Sequence, residues 1–153
     1  MYHHFSTGDE MQMIPPPPES KPEPAVVVLG RFQPLHKGHA YLLRQASEFR
    51  DAEHPDLVLR IMLGSSNRER SPENPWDWEE RSEMVANWVT SEGLENIEIL
   101  AVPDLGDEEK WEEHASAWHG DAGVLVVSNE QTEQLYSDAG WAIHRIDLDE
   151  RES

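Results

Sequence analysis

Ala25-Val26-Val27-Val28-Leu29-Gly30-Arg31-Phe32-Gln33-Pro34-Leu35-His36-Lys37-Gly38-His39 is the stretch that decides the fold. It opens as a β-branched run ending in glycine, the pattern of a strand buried on both faces of a parallel sheet. A polar loop follows. Leu42, Leu43, Ala46 and Phe49 then recur at helical spacing. A strand, a loop and a helix are therefore expected in that order.

The same alternation runs to the end of the chain. Residues 57–64 read as a second strand. Asp77-Trp78-Glu79-Glu80 has capping-box form, and Met84, Val85, Trp88 and Val89 supply an apolar helix face before Gly93. Residues 97–102 read as strand three, and residues near 108–118 as a short acidic helix carrying Trp111, Ala115 and Trp118. Residues 124–127 read as strand four, 131–139 as a helix stopped by Gly140, and 141–146 as strand five. The expectation is an α/β fold: a Rossmann-like, doubly wound, parallel five-stranded sheet with helices on both faces. Such a sheet binds its ligand at the carboxyl ends of its strands, so the loops after Gly30, Gly64, Val102 and Val127 are where chemistry is sought.

Composition limits the partners. The chain has 153 residues, 31 of them acidic and 12 basic, for a formal net charge of -19. Phosphate backbones and anionic lipid repel such a surface, so neither a nucleic-acid partner nor a membrane is expected. A phosphorylated ligand must enter a locally positive pocket. With no cysteine, disulfides and thiolate chemistry are excluded. No apolar run approaches the ~20 residues of a membrane span, and the start of the chain lacks a signal peptide's pattern, so a cytoplasmic location is expected. Abundant Asp and Glu with scarce Lys resembles proteins from salt-accumulating organisms, where high salt screens self-repulsion. Residues 1–24, with the run Pro15 to Pro18 and then Pro22 and Pro24, read as an extended or disordered tail. His3 and His4 are slight grounds for a metal site, and none is expected.

The loop after strand one lacks both G-x-G-x-x-G and the phosphate loop's G-K-[ST]. It places His36 and His39 on one face of the first turn of a helix, where backbone N–H groups and the helix dipole favour an anion. Gly38 lets a phosphate approach the backbone, and Arg31 and Lys37 add charge. This suits phosphate transfer, which needs position and charge stabilisation more than a nucleophile. The plainer alternative is that both histidines only cap the helix. The second loop, Gly64 to Trp76, offers Ser65, Ser66 and Asn67 with two arginines, Arg68 and Arg70, whose forks match phosphate oxygens.

Gly30-Arg31-Phe32-Gln33-Pro34-x-His36-x-Gly38-His39 resembles the first motif of the nicotinamide-nucleotide adenylyltransferases, within the nucleotidyltransferase superfamily marked by H-x-G-H. The likeness is to the archaeal-type enzymes and to the adenylyltransferase domain of bifunctional Nudix proteins. Asn74-Pro75-Trp76 and Arg81 match a second family stretch, N-P-[FW] followed by E-R. Pro103-Asp104 followed by Trp111 is similar to a third, whose tryptophan lies near the nicotinamide ring. Ser128-Asn129 stands where the family usually has Gly-Asn.

The resemblance implies adenylyl transfer from ATP to nicotinamide mononucleotide, giving NAD and pyrophosphate, with Mg2+ on the ATP. It implies His36, His39, Arg31 and Lys37 as the catalytic set. It implies binding by Gly30, Phe32, Gln33, Gly38, Ser65, Ser66, Asn67, Arg68, Arg70, Asn74, Pro75, Trp76, Arg81, Trp111 and Asn129. For Trp111 simple packing, and for Asn129 ordinary turn chemistry, are equal alternatives. Relatives often assemble, which makes a homo-oligomer a possible form. Relatives also continue with an S-x-T-x-x-R segment that binds the ATP phosphates. Residues 147–153 do not contain it, so domain 25–153 is expected to be an adenylyltransferase that is truncated, completed by a partner or catalytically weakened. The alternatives are another nucleotidyltransferase of the superfamily, a regulator that binds nucleotides without turnover, and a scaffold recruited through the proline tail.

Overall fold

The structure, a computed structural model, describes residues 15–32, 35–67, 70–72, 75–104 and 110–147. Its elements alternate: β1 (Ala25–Gly30), α1 (Lys37–Glu53), β2 (Leu59–Leu63), α2 (Trp78–Glu92), β3 (Ile97–Ala101), α3 (Trp111–His119), β4 (Gly123–Val127), α4 (Glu130–Asp138) and β5 (Ala142–Arg145). The five strands form one sheet in the order β3-β2-β1-β4-β5. All four pairings are parallel, with Val26 opposite Leu59 on one side of β1 and Val124 on the other.

Side-chain alternation along the strands divides the core in two. Val26, Val28, Leu59, Ile61 and Leu63 face Leu42, Leu43 and Ala46 of α1 and Val85 and Val89 of α2. Ala25, Val27, Met62, Leu125 and Val127 face Ala115 and Trp118 of α3 and Tyr136 of α4. Both faces are covered, which is why β1 reads as an unbroken apolar run. Each fully buried Val or Leu contributes roughly 1.5–3 kcal/mol. The strand order reverses between β1 and β4, and the ligand crevice of such a sheet opens there.

Two features go beyond the sequence reading. Arg60 lies in the middle of β2, 3% exposed. Its guanidinium donates to Glu98 on β3 and to the carbonyls of Glu23 and His119. Residues 15–24 of the leader contact the folded part at several points. The Trp118 indole donates to the Pro15 carbonyl, Lys21 pairs with Asp121, and Glu23 accepts from Arg60. Proline has no N–H to leave unpaired, so this run can follow a surface without joining the sheet. Residues 1–14, including His3 and His4, lie outside the described residues.

Candidate active site

The turn after β1 is shaped by Gly30 and Phe32. Phe32 has φ 52, in the left-handed region, and its ring is fully buried. A Cβ on Gly30 would stand 2.8 Å from that ring. The ring in turn lies against His39, with centroids 4.6 Å apart. The Phe32 side chain is thus a wall behind His39. Gly30→Ala should push the wall into His39, destabilising the fold by about 1–3 kcal/mol as overpacked cores do. A urea midpoint measures that loss, and a midpoint equal to wild type's would show that the ring can yield.

His36 and His39 form a reciprocal cap at the start of α1. The Nδ1 of His36 accepts from the Gly38 N–H at 3.0 Å and the His39 N–H at 3.4 Å. The Nδ1 of His39 accepts from the His36 N–H at 3.3 Å. A nitrogen that accepts an N–H cannot carry a proton, so each neutral ring bears its hydrogen on Nε2. The rings stack with centroids 3.7 Å apart. Capping is therefore real, and it changes the anion site expected from sequence. The Gly38 and His39 amides are bonded within the chain, so the helix start presents the imidazole rings rather than these amides. His36, Lys37 and Arg31 are exposed, and Gly38 is buried.

The loop after β2 is tied to its neighbours. The Gly64 N–H donates to the Gly30 carbonyl at 2.8 Å, and the Ser66 N–H to the Val102 carbonyl at 3.1 Å. Ser65, with φ 56, donates its hydroxyl to Asp104 at 2.9 Å. The Asn67 amide donates to the Asp104 carbonyl and accepts from the Asp104 N–H, both at 2.9 Å. Ser65 and Asn67 thus hold the β2 and β3 loops together. Asp104, the residue that both bind, was not among the expected site residues. A lone acid beside a proline carries no signal of a contact formed so far along the chain.

Arg81 is a larger correction. Expected in the nucleotide pocket, its side chain is 0% exposed and donates to main-chain oxygens of Arg31, Gly64, Ser65 and Asp77. Arg70 pairs with Glu80 and reaches the Pro75 carbonyl, so it lies across the start of α2. Pro75 and Trp76 are half-buried there. Gln33, Arg68 and Asn74 lie outside the described residues.

Trp111 is half-buried against the second core cluster, the packing alternative. One turn further on the same helix, His114 has a buried Nδ1 without a hydrogen-bond partner among the described residues. Such a nitrogen is uncommon and marks a place where water or ligand supplies the bond. The Trp-x-x-His spacing is the only sequence signal for it. Asn129 caps α4, accepting from the Thr132 N–H at 2.9 Å. Ser128, Asn129 and Thr132 line a shallow open cleft with Leu29 of β1 and Leu42 of α1. This cleft lies at the β1–β4 reversal, one helical turn from His39.

The fold and the site together define a Rossmann-like α/β domain with a histidine pair at the start of α1. Residues 27–150 match the model of the cytidylyltransferase-like family, and the chain belongs to that family. It is 28% identical over 116 residues to the nicotinamide-nucleotide adenylyltransferase of Saccharolobus solfataricus, covering 74% of this chain and 64% of that protein. It is 22% identical over 130 residues to the same-named protein of Thermoplasma acidophilum, covering 85% and 69%. The fold matches the crystal structure of a bifunctional NMN adenylyltransferase/ADP ribose pyrophosphatase of Francisella tularensis, complexed with AMP and a manganese ion. The TM-score there is 0.63 at 22% identity, over 84% of this chain and 38% of that one. The chain thus spans less than two thirds of the first of these relatives.

Proposed function

We propose that the chain transfers the adenylyl group of ATP to nicotinamide mononucleotide, giving NAD and pyrophosphate. The observation that carries this is the reciprocal His36–His39 cap, which fixes both ring tautomers at the start of α1, past the carboxyl end of β1. The printed names of the adenylyltransferase relatives support the choice of substrates.

In this reading a phosphate oxygen of the mononucleotide attacks the α-phosphorus of ATP. The new P–O bond forms as the bond to pyrophosphate breaks, and no group of the protein is covalently changed. His36 and His39 donate to non-bridging oxygens as charge builds there. Arg31 and Lys37 hold the triphosphate, and Gly38 gives it room. Phe32, Arg81, Ser65 and Asn67 support these groups without touching the reacting atoms. The cleft bounded by Asn129 takes part of a nucleotide. Mg2+ enters on ATP, neutralising the triphosphate. It keeps several waters and binds largely through substrate phosphates.

Incubation of the full chain with ATP, nicotinamide mononucleotide and Mg2+ tests the reading, with NAD followed directly. The acidic coat predicts a rate that rises with screening salt, so the assay runs from dilute buffer to molar KCl. No NAD at any salt, at enzyme concentrations far above trace, would sink it. The cytidylyltransferase-like family model favours a second arm with CTP as donor and other phosphorylated acceptors. Product there and none with nicotinamide mononucleotide would identify a different nucleotidyltransferase. No described helix is long and apolar enough to cross a membrane, and a cytoplasmic setting is proposed with the function.

A further inference from the structure

Arg81 heads the fully buried side chains by volume, yet it is a cation. Its guanidinium donates to the carbonyls of Arg31 at 2.6 Å and Gly64 at 2.7 Å, and to those of Ser65 and Asp77 at 3.3 Å each. Arg31, Gly64 and Ser65 follow directly on the carboxyl ends of β1 and β2. Carbonyl oxygens there carry partial negative charge, which opposes an anion in the crevice above. Arg81 covers them and leaves a full positive charge in their place. Burial, and next the charge of Arg31, push the Arg81 guanidinium below its ordinary pKa, while Asp77 and Asp104 act in the other direction. The two arginines therefore repel one another, and an anion seated beside Arg31 relieves that repulsion.

We propose that Arg81 is a positioning residue of the anion site: it fixes the loops after β1 and β2 in one register and sets beneath them a buried positive charge that holds a phosphate-bearing ligand. That the ligand is a nucleotide rests on the reading above, but the need for a buried cation does not.

Pyrophosphate is the probe, titrated calorimetrically into the full chain and into Arg81→Lys and Arg81→Met, with circular dichroism confirming the fold of each. Lysine keeps the charge and three donors, so its Kd should stay within about threefold of wild type. Methionine keeps the bulk and removes the charge, so binding should weaken about tenfold or more, the scale of a charge acting through a few ångströms of protein. Salt should also weaken binding to the methionine variant less steeply. A role in stability alone would not produce that pattern in a folded variant. A folded Arg81→Met that binds like wild type overturns the proposal, as does a wild-type chain that ignores millimolar pyrophosphate. If Arg81→Met does not fold, Arg81→Lys decides, and a folded lysine variant with tenfold weaker binding overturns it. Pyrophosphate binding without NAD formation would instead remove the adenylyltransferase reading and leave the role of Arg81 standing.

Discussion

His36→Ala is expected to lower kcat/KM by roughly 10²–10³, the effect of losing one donor to a charged transition state. The same substitution removes the cap from α1, because the His36 Nδ1 holds the Gly38 and His39 amides. Cap loss alone lowers stability by about 1 kcal/mol. The two roles are separable. Serine caps helices well but is too short to reach where Nε2 stands. His36→Ser should therefore recover most of the lost stability and little of the lost rate. His39→Ala should also lose activity, since His39 is the other half of the cap and is braced by Phe32. Urea midpoints and initial rates on the three variants separate the effects. If His36→Ser restores both stability and rate, capping is the whole role of His36. If His36→Ala keeps its rate, the histidine has no part in catalysis.

Much of the architecture was legible because it rests on local periodicity. β1 and β4 read as buried strands because both of their faces are covered, and Asp77 with Glu80 forms the reciprocal cap their spacing implied. Element ends moved by a residue or two, as at β2, which begins at Leu59 rather than Leu57. The histidine pair was legible as a pair, because a helix start fixes which side chains share a face. What was not legible involves charges and contacts between distant parts of the chain. Arg81 read as a ligand-binding cation, and Arg60 read only as one residue of a strand. Both are buried because carbonyls from several loops converge on them, and no local pattern records that convergence. The contacts of the proline segment went unseen for the same reason. Its composition resembles a solvated leader, yet residues 15–24 lie against Trp118, Arg60 and Asp121. The net charge made a nucleic-acid or membrane partner unexpected, and the structure leaves Arg31 and Lys37 exposed near the start of α1.

Lowering the pH from 7 to about 4 should destabilise the wild-type chain through His119, away from the proposed site. His119 is 0% exposed, as is Tyr136. The Gly120 carbonyl can only accept, so the His119 Nδ1–H donates to it at 2.6 Å. The Nε2 then accepts from the Tyr136 hydroxyl at 2.7 Å. Burial holds the Tyr136 hydroxyl above its ordinary range, with Glu112 adding to the shift, so it remains a donor. Burial, opposed by the bond to the Gly120 carbonyl and aided by the charge of Arg60, lowers the pKa of His119 to about 4. The unfolded chain takes up this proton near pH 6.5, whereas the folded chain resists until about pH 4. Between those values the unfolded state binds more protons, so stability falls as the pH falls. The full span corresponds to about 3 kcal/mol at ~1.4 kcal/mol per unit. Acid also relieves repulsion among the carboxylates, which works in the opposite direction, so the comparison must be made against a variant. In His119→Gln the amide can donate to Gly120 and accept from Tyr136 without titrating. Its urea midpoint should change less than that of wild type between pH 7 and pH 4.5, by an amount equivalent to most of that energy. Equal losses in the two proteins would mean that His119 does not carry the acid sensitivity.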